Sequence, residues 1–200
     1  MDTTLLLAAI VFIAPMCFTP GPNNVLCAAH GAKYGVRATL PLTAGMALGW
    51  SVLGVMVGLA TDLLEQQQML LRTLEAIGAL YIAWIGLHVM RSDGVGEADL
   101  EGRLGFRTGA ALQFVNGKAW IHFLVLMAGF GSAFGDGAMA KVALVGLNLS
   151  FGYPAVLTWT VLGAQLRRLF ASEVAGRRLN TALGALLVGV AAWLLWTALG

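Results

Sequence analysis

What this 200-residue chain lacks most is charge: Asp, Glu, Lys and Arg together make up 11% of it, against roughly one quarter in an ordinary soluble domain. With 58% hydrophobic residues and a mean hydropathy of +0.80, a soluble globular fold is excluded. Cysteine is nearly absent. Cys17 and Cys27 are too few for a disulfide framework, no Cys/His spacing of a metal site occurs, and both read as small apolar fillers. Also missing are a Gly-x-Ser-x-Gly elbow, a His-Glu-x-x-His pair and any Walker-type phosphate loop. The chain is therefore not expected to be an enzyme, to couple directly to ATP or to carry a cofactor or metal. No basic segment precedes the apolar run Leu5 to Ile13, so that run is read as a retained first span and not as a cleaved signal.

What is there is apolar sequence in long stretches, at about Thr4 to Ala29, Thr39 to Ala60, Met69 to Met90, Thr108 to Gly131, Ala138 to Gly163 and Leu179 to Leu199. Each holds the ~20 residues that a membrane-crossing helix needs. The fold class predicted is an all-α polytopic membrane protein of six transmembrane helices, a single domain over residues 1–200. Basic residues separate by side. Lys33, Arg37, Arg91, Arg103, Arg107, Arg167, Arg168, Arg177 and Arg178 lie in the odd-numbered connections, and only Arg72 and Lys141 in the even ones. Since Lys and Arg near span ends are retained in the cytoplasm, both termini are expected outside. The net charge of +2 follows from this asymmetry, so nucleic acid is not indicated as a partner. In the second stretch Gly45 and Gly49, and Gly54 and Gly58, have the four-residue spacing that lets helices approach closely in lipid.

Polar sequence inside the apolar stretches is where function is sought. Thr19-Pro20-Gly21-Pro22-Asn23-Asn24 interrupts the first stretch. Two prolines remove backbone donors there, and freed backbone groups are tolerated in a membrane only where protein buries them or they line a cavity. Discontinuous helices of this kind build transporter binding sites. The fourth stretch carries Gln113, Asn116, Lys118 and His122. Lys118 falls near mid-depth, where a charge costs about 2.5 to 3.5 kcal/mol, and Lys118 and His122 share a helix face. Two readings stand for Lys118: it meets an anionic group of the substrate, or it snorkels to the cytoplasmic interface. His122 likewise reads as a proton-handling or a packed side chain. Glu75 lies inside the third stretch and is a candidate for proton coupling, but Arg72 three residues earlier offers it an ion pair. Asn148, Ser150 and Tyr153 of the fifth stretch and Tyr81 of the third are further cavity-lining candidates. His30 and His88 read as interfacial.

The motif Thr19 to Asn24, with Ala44-Gly45-Met46-Ala47-Leu48-Gly49 and Gly78-Ala79-Leu80-Tyr81, resembles the LysE/RhtB family of amino-acid exporters over nearly the whole chain. Leu112 to Lys118 and Leu166-Arg167-Arg168-Leu169-Phe170 are most similar to its branch that exports cysteine and O-acetylserine. The resemblance implies efflux of small neutral amino acids across a bacterial inner membrane, driven by the proton gradient as in an antiporter. It also implies two inverted three-helix halves, about 1–92 and 105–200, and leaves a homodimer open. Most of the family has Asn-Pro-Lys where this chain has Asn116-Gly117-Lys118, so the fourth helix is expected to lose an enforced break and keep a flexible point. A substrate carboxylate would meet Lys118 and the amides around Gly21 to Asn24. Its ammonium would face carbonyls freed by Pro20 and Pro22, with Asn23, Asn24 and Asn116 as neutral partners. A channel or scaffold subunit is the rival reading. Metal-ion export is disfavoured, because divalent cations want carboxylate or thiolate clusters that the stretches lack.

Overall fold

The computed structural model describes residues 2–64, 68–91, 103–169 and 173–199. All regular structure among them is helical: α1 (Thr3–Phe18), α2 (Pro22–Tyr34), α3 (Val36–Leu64), α4 (Gln68–Met90), α5 (Phe106–Phe114), α6 (Gly117–Phe130), α7 (Ala138–Leu169) and α8 (Glu173–Leu199). Asp2 starts α1 by accepting the amides of Thr4 and Leu5, at 2.9 and 3.1 Å. Thr19 is extended (φ −60°, ψ 144°), as a residue before proline should be, and this ends α1. Pro22 then opens α2 at a first-turn position, where its missing N–H costs no hydrogen bond. Gly35, at φ +82°, takes the chain from α2 into α3 through a conformation that L side chains avoid.

Val36–Thr61 and Ala138–Leu166 are each long and apolar enough to cross a membrane, and the pairs α1 with α2 and α5 with α6 qualify as bent spans. Large apolar side chains such as Leu59, Trp196 and Met139 stand exposed on the outer faces, an arrangement suited to lipid and costly in water. The molecule is a multi-pass helical membrane protein.

The breaks are the main local surprise. The pair α1 and α2 bends by 42° where the prolines predict it, but the pair α5 and α6 bends more sharply, by 61°. Glycine in place of proline was expected to relax that point. The structure corrects this: Asn116 leaves the helical region (φ −92°, ψ 97°) and becomes the N-cap of α6. The end of α5 is satisfied instead by the Trp120 indole, which donates to the Phe114 carbonyl at 2.8 Å.

Helices cross where glycines remove side chains. Gly45 and Gly49 of α3 lie against the backbone of Phe106 and Ala110 in α5, and Gly109 of α5 lies against Leu42. Gly31 of α2 meets Thr160 of α7, and Gly163 meets Ala28. In α4 and α8, Gly86 and Gly184 face each other. Gly54 and Gly58 differ, since they make room for the Phe123 and Met127 side chains of α6. Lys141 donates to the Gly58 carbonyl, beside the kink at Ala60. Two apolar clusters result, one around Val25, Leu42 and Leu112, the other around Ile13, Leu53 and Phe123.

Candidate functional site

The two breaks face each other and are tied together. Asn23, in the first turn of α2, donates to Gln113 Oε1 at the end of α5 (2.7 Å), and Gln113 Nε2 donates to the Gly109 carbonyl (3.1 Å). The carbonyls that the first break frees are claimed by side chains. Asn24 Nδ2 donates to both Cys17 O and Thr19 O at 2.8 Å, the Thr19 hydroxyl to Met16 O at 3.0 Å, and the Trp159 indole to Phe18 O at 3.2 Å. This bears on the expectation that the same carbonyls face a substrate ammonium, because each already accepts a hydrogen bond.

Between the breaks lies a cavity of about 60 Å³. Met16 and Cys17 of α1, Gly21 to Asn24 of the first break, and Met46, Ala47 and Trp50 of α3 form part of its wall. The rest is Asn116 and Lys118 at the start of α6, with Leu149, Gly152, Tyr153 and Val156 of α7. Lys118 Nζ donates to the Thr19 hydroxyl at 3.0 Å. A Cβ built on Gly21 would stand 3.1 Å from Nζ and 3.2 Å from Cδ of that lysine, so glycine is what lets the stem lie over the break. No carboxylate among the described residues pairs with the ammonium. The N-termini of α2 and α6, where the first amides of a helix lack intrahelical acceptors, border the same cavity and add the positive ends of two helix dipoles, although Ala119 N in α6 already donates to Asn116 O at 2.8 Å. Opposite in character is Asn116. It is 4% exposed, its side chain makes no capping bond, and its Oδ1 is the buried side-chain polar atom without a hydrogen-bond partner among the described residues.

Of the residues singled out in the sequence, Gly21, Pro22, Asn23, Asn24, Asn116, Lys118 and Tyr153 line the cavity. Pro20 is exposed at the break and does not. Gln113, His122 and Asn148 are buried behind the wall, at 0, 2 and 0% exposure. The latter two belong to one chain of hydrogen bonds, in which the Trp50 indole donates to Asn148 Oδ1 (2.6 Å) and Asn148 Nδ2 meets His122 Nε2 (2.6 Å). Glu75 lies on α4, and its side chain falls outside the described residues. Sequence reasoning missed Trp50, Met46 and Thr19 as parts of the site. An aromatic or thioether in an apolar stretch gives no signal of facing a cavity, whereas Thr19 sat within the motif already quoted. His30 is 4% exposed and bridges the Thr39 hydroxyl (2.8 Å) and the Leu104 amide (3.2 Å). Among the described residues no group of three or more His, Cys, Asp or Glu could hold a metal ion.

Half-helix ends aimed from two broken spans at one small cavity, inside a multi-pass helical protein, are how a membrane transporter holds a polar solute away from bulk water. A family model described as LysE type translocator matches residues 14–198. The chain belongs to the LysE-type translocator family, whose members are transporters and not enzymes. It is similar to the cysteine/O-acetylserine efflux protein of Klebsiella pneumoniae subsp. pneumoniae, 30% identical over 190 residues that cover 94% of this chain and 95% of the relative. The proteins of the same name from Salmonella typhi and Escherichia coli K12 are each 29% identical, over 195 and 196 residues, 94% of this chain and 96% of theirs. No solved structure matches.

Proposed function

We propose that the protein exports small neutral amino acids of the cysteine and O-acetylserine type across a bacterial inner membrane, exchanging them for protons. The observation that carries this is the pairing, in one cavity, of an ammonium and a buried amide oxygen for which the described residues supply neither a carboxylate nor a donor. A zwitterion has the two groups that complete them. Its carboxylate fits between Lys118 and the α2 and α6 amides, and its ammonium fits Asn116 Oδ1. A buried polar atom left unpaired costs about 1–3 kcal/mol, so a substrate that supplies its partner recovers that energy on binding. The efflux relatives support the same substrate class.

The architecture proposed is six spans in two inverted halves, with α1 and α2 as the first span and α5 and α6 as the fourth. Two features support it. Breaks occur in the first span of each half, and the first span packs on the fifth (α2 on α7) while the fourth packs on the second (α5 on α3), the exchange a twofold axis requires. Alternating access then rocks these pairs about the breaks, with loops one, three and five cytoplasmic and both termini outside.

Proteoliposomes preloaded with a panel of labelled amino acids, under an imposed pH gradient, test the reading. Release of short neutral amino acids, ahead of basic or large aromatic ones, is expected. A panel in which no amino acid leaves faster than from empty liposomes overturns it in favour of a channel or scaffold role.

A further inference from the structure

The hydrogen bonds behind the cavity can be oriented from donor counts alone. An indole nitrogen only donates, so the Asn148 atom 2.6 Å from Trp50 Nε1 is the amide oxygen. The other arm of that amide is an NH2, which also only donates, and it faces His122 Nε2 at 2.6 Å. Nε2 therefore accepts, and His122 is a neutral imidazole with its proton on Nδ1. The ring has little room to turn away: Phe12 stacks against it and Trp50 lies tilted against it, each with its centroid 5.3 Å off, and Phe123 meets it edge-on at 5.4 Å.

We propose that His122, Asn148 and Trp50 form the relay that couples a proton to the substrate cavity: a proton taken up at His122 Nε2 reverses the Asn148 amide and detaches Trp50 from it. This rests on the exporter reading above and names the groups by which the proton gradient acts. The balance is simple. One N–H bond forms at Nε2 as one O–H bond of a hydronium ion in the aqueous phase that the cavity faces breaks, and the proton returns to water at the opposite face when the cycle reverses. An imidazolium has two N–H donors and no acceptor, so Asn148 must turn its oxygen to Nε2. Its NH2 then meets the Trp50 N–H, donor against donor, and the indole loses its anchor. Because Trp50 is part of the cavity wall, the proton and the wall position are linked, and linkage requires the substrate to feel the proton by the same factor.

The ionisable groups on α6 and on the helices packed against it are these. Lys118 lies one turn earlier on α6, Cys17 is on α1, and α7 carries Lys141, Tyr153 and, at its far end, Arg167 and Arg168. In α3 they are Arg37 and Asp62, in α5 Arg107, and in α4 Arg72, Glu75, Tyr81 and His88. Asp62 and Glu75 are the acids among them, and neither side chain is among those described. Within the described residues, the partner hydrogen-bonded to Nε2 is Asn148.

The test is 19F NMR of the full chain labelled with 5-fluorotryptophan in lipid nanodiscs, titrated from pH 8 to 4, with the Trp50 resonance assigned by its loss in Trp50→Phe. Transport under an imposed pH gradient is measured alongside. A single-proton transition at Trp50 is expected, absent in His122→Gln. It is absent in Asn148→Asp as well, since a carboxylate accepts from the indole and from imidazolium in either state. Asn148→Asp should release substrate down its own gradient and no longer respond to the pH gradient. Substrate affinity should differ between the two protonation states of the wild type by on the order of 5- to 150-fold. A Trp50 resonance that is flat with pH in a wild type whose export follows the pH gradient overturns the relay and leaves the exporter reading standing. So does an Asn148→Asp protein that keeps the wild-type transition. A wild type that titrates at Trp50 but moves no amino acid overturns the exporter reading, and with it the role of the relay in export, while the proton-driven turn of Asn148 stands. Should the variants fail to fold, the wild-type titration decides by itself.

Discussion

Asn24 holds the first break closed, and replacing it gives a prediction with a sign as well as a size. Its Nδ2 donates to Cys17 O and Thr19 O, both at 2.8 Å, and the residue is 5% exposed. Asn24→Ala removes both donors. Each bond contributes about 1 kcal/mol net, and a buried acceptor left bare costs about 1–3 kcal/mol. Because Asn24 also borders the cavity, water can reach part of the gap, which places the loss near the lower end, about 2–3 kcal/mol in all. At roughly 2–4 °C per kcal/mol for a chain of this size, the apparent melting temperature should fall by about 4–12 °C. Asn24→Asp has the same shape but only accepting atoms when ionised, so it sets a carboxylate against two carbonyls and must be worse than alanine. The assay is thermal unfolding of the purified protein in one detergent, followed by intrinsic fluorescence, with efflux measured in parallel. Asn24→Ala as stable as the wild type, or Asn24→Asp more stable than Asn24→Ala, would refute the assignment of Asn24 as the keeper of the break.

Three further outcomes are expected. Gly21→Ala places a methyl 3.1 Å from Lys118 Nζ. The flexible stem can shift, so folding is kept while the substrate concentration for half-maximal efflux rises several-fold, and an unchanged value would mean that the lysine does not lie over the break during transport. Gly163→Leu drives a side chain into the backbone of Ala28, where nothing flexible can yield, and should prevent accumulation of folded protein on size-exclusion chromatography; the same substitution at Gly146, where a Cβ meets nothing, should be tolerated. Reporter fusions at position 100 and at the carboxyl end should report opposite sides of the membrane, and equal sides would refute the proposed six-span topology.

The first break was legible because Pro20 and Pro22 each delete a donor, a loss no context can restore. The second was not, since Gly117 only permits a bend. What accompanies it is a side-chain partner across the break, the Trp120 indole that takes the Phe114 carbonyl six residues earlier, and a tryptophan in an apolar stretch gives no sign of that role. The same holds for the site. Lys118 and the Asn residues stood out because polar groups in an apolar stretch are costly, and most of them do line the cavity. Gln113, Asn148 and His122 stood out for the same reason but satisfy one another or their neighbours behind the wall, and intramembrane polarity alone does not distinguish the two positions. Trp50 gave no signal, since its ring suits lipid and its one polar atom is hidden in a bond to a residue 98 positions away.

The central claim is that Lys118 holds the substrate carboxylate, and a double comparison of binding tests it most directly. Affinity would be measured by calorimetry on purified wild type and on Lys118→Met, which keeps the stem and removes the charge, for cysteine and for its decarboxylated analogue, an aminothiol. A hydrogen bond to a charged group contributes about 1.5–3 kcal/mol, so Lys118→Met should weaken cysteine by roughly 10- to 150-fold. It should leave the aminothiol as weakly bound as in the wild type, or bound more tightly, since an ammonium facing it is gone. An equal change for both ligands, or none for either, would contradict the account and return Lys118 to the role of an interfacial anchor.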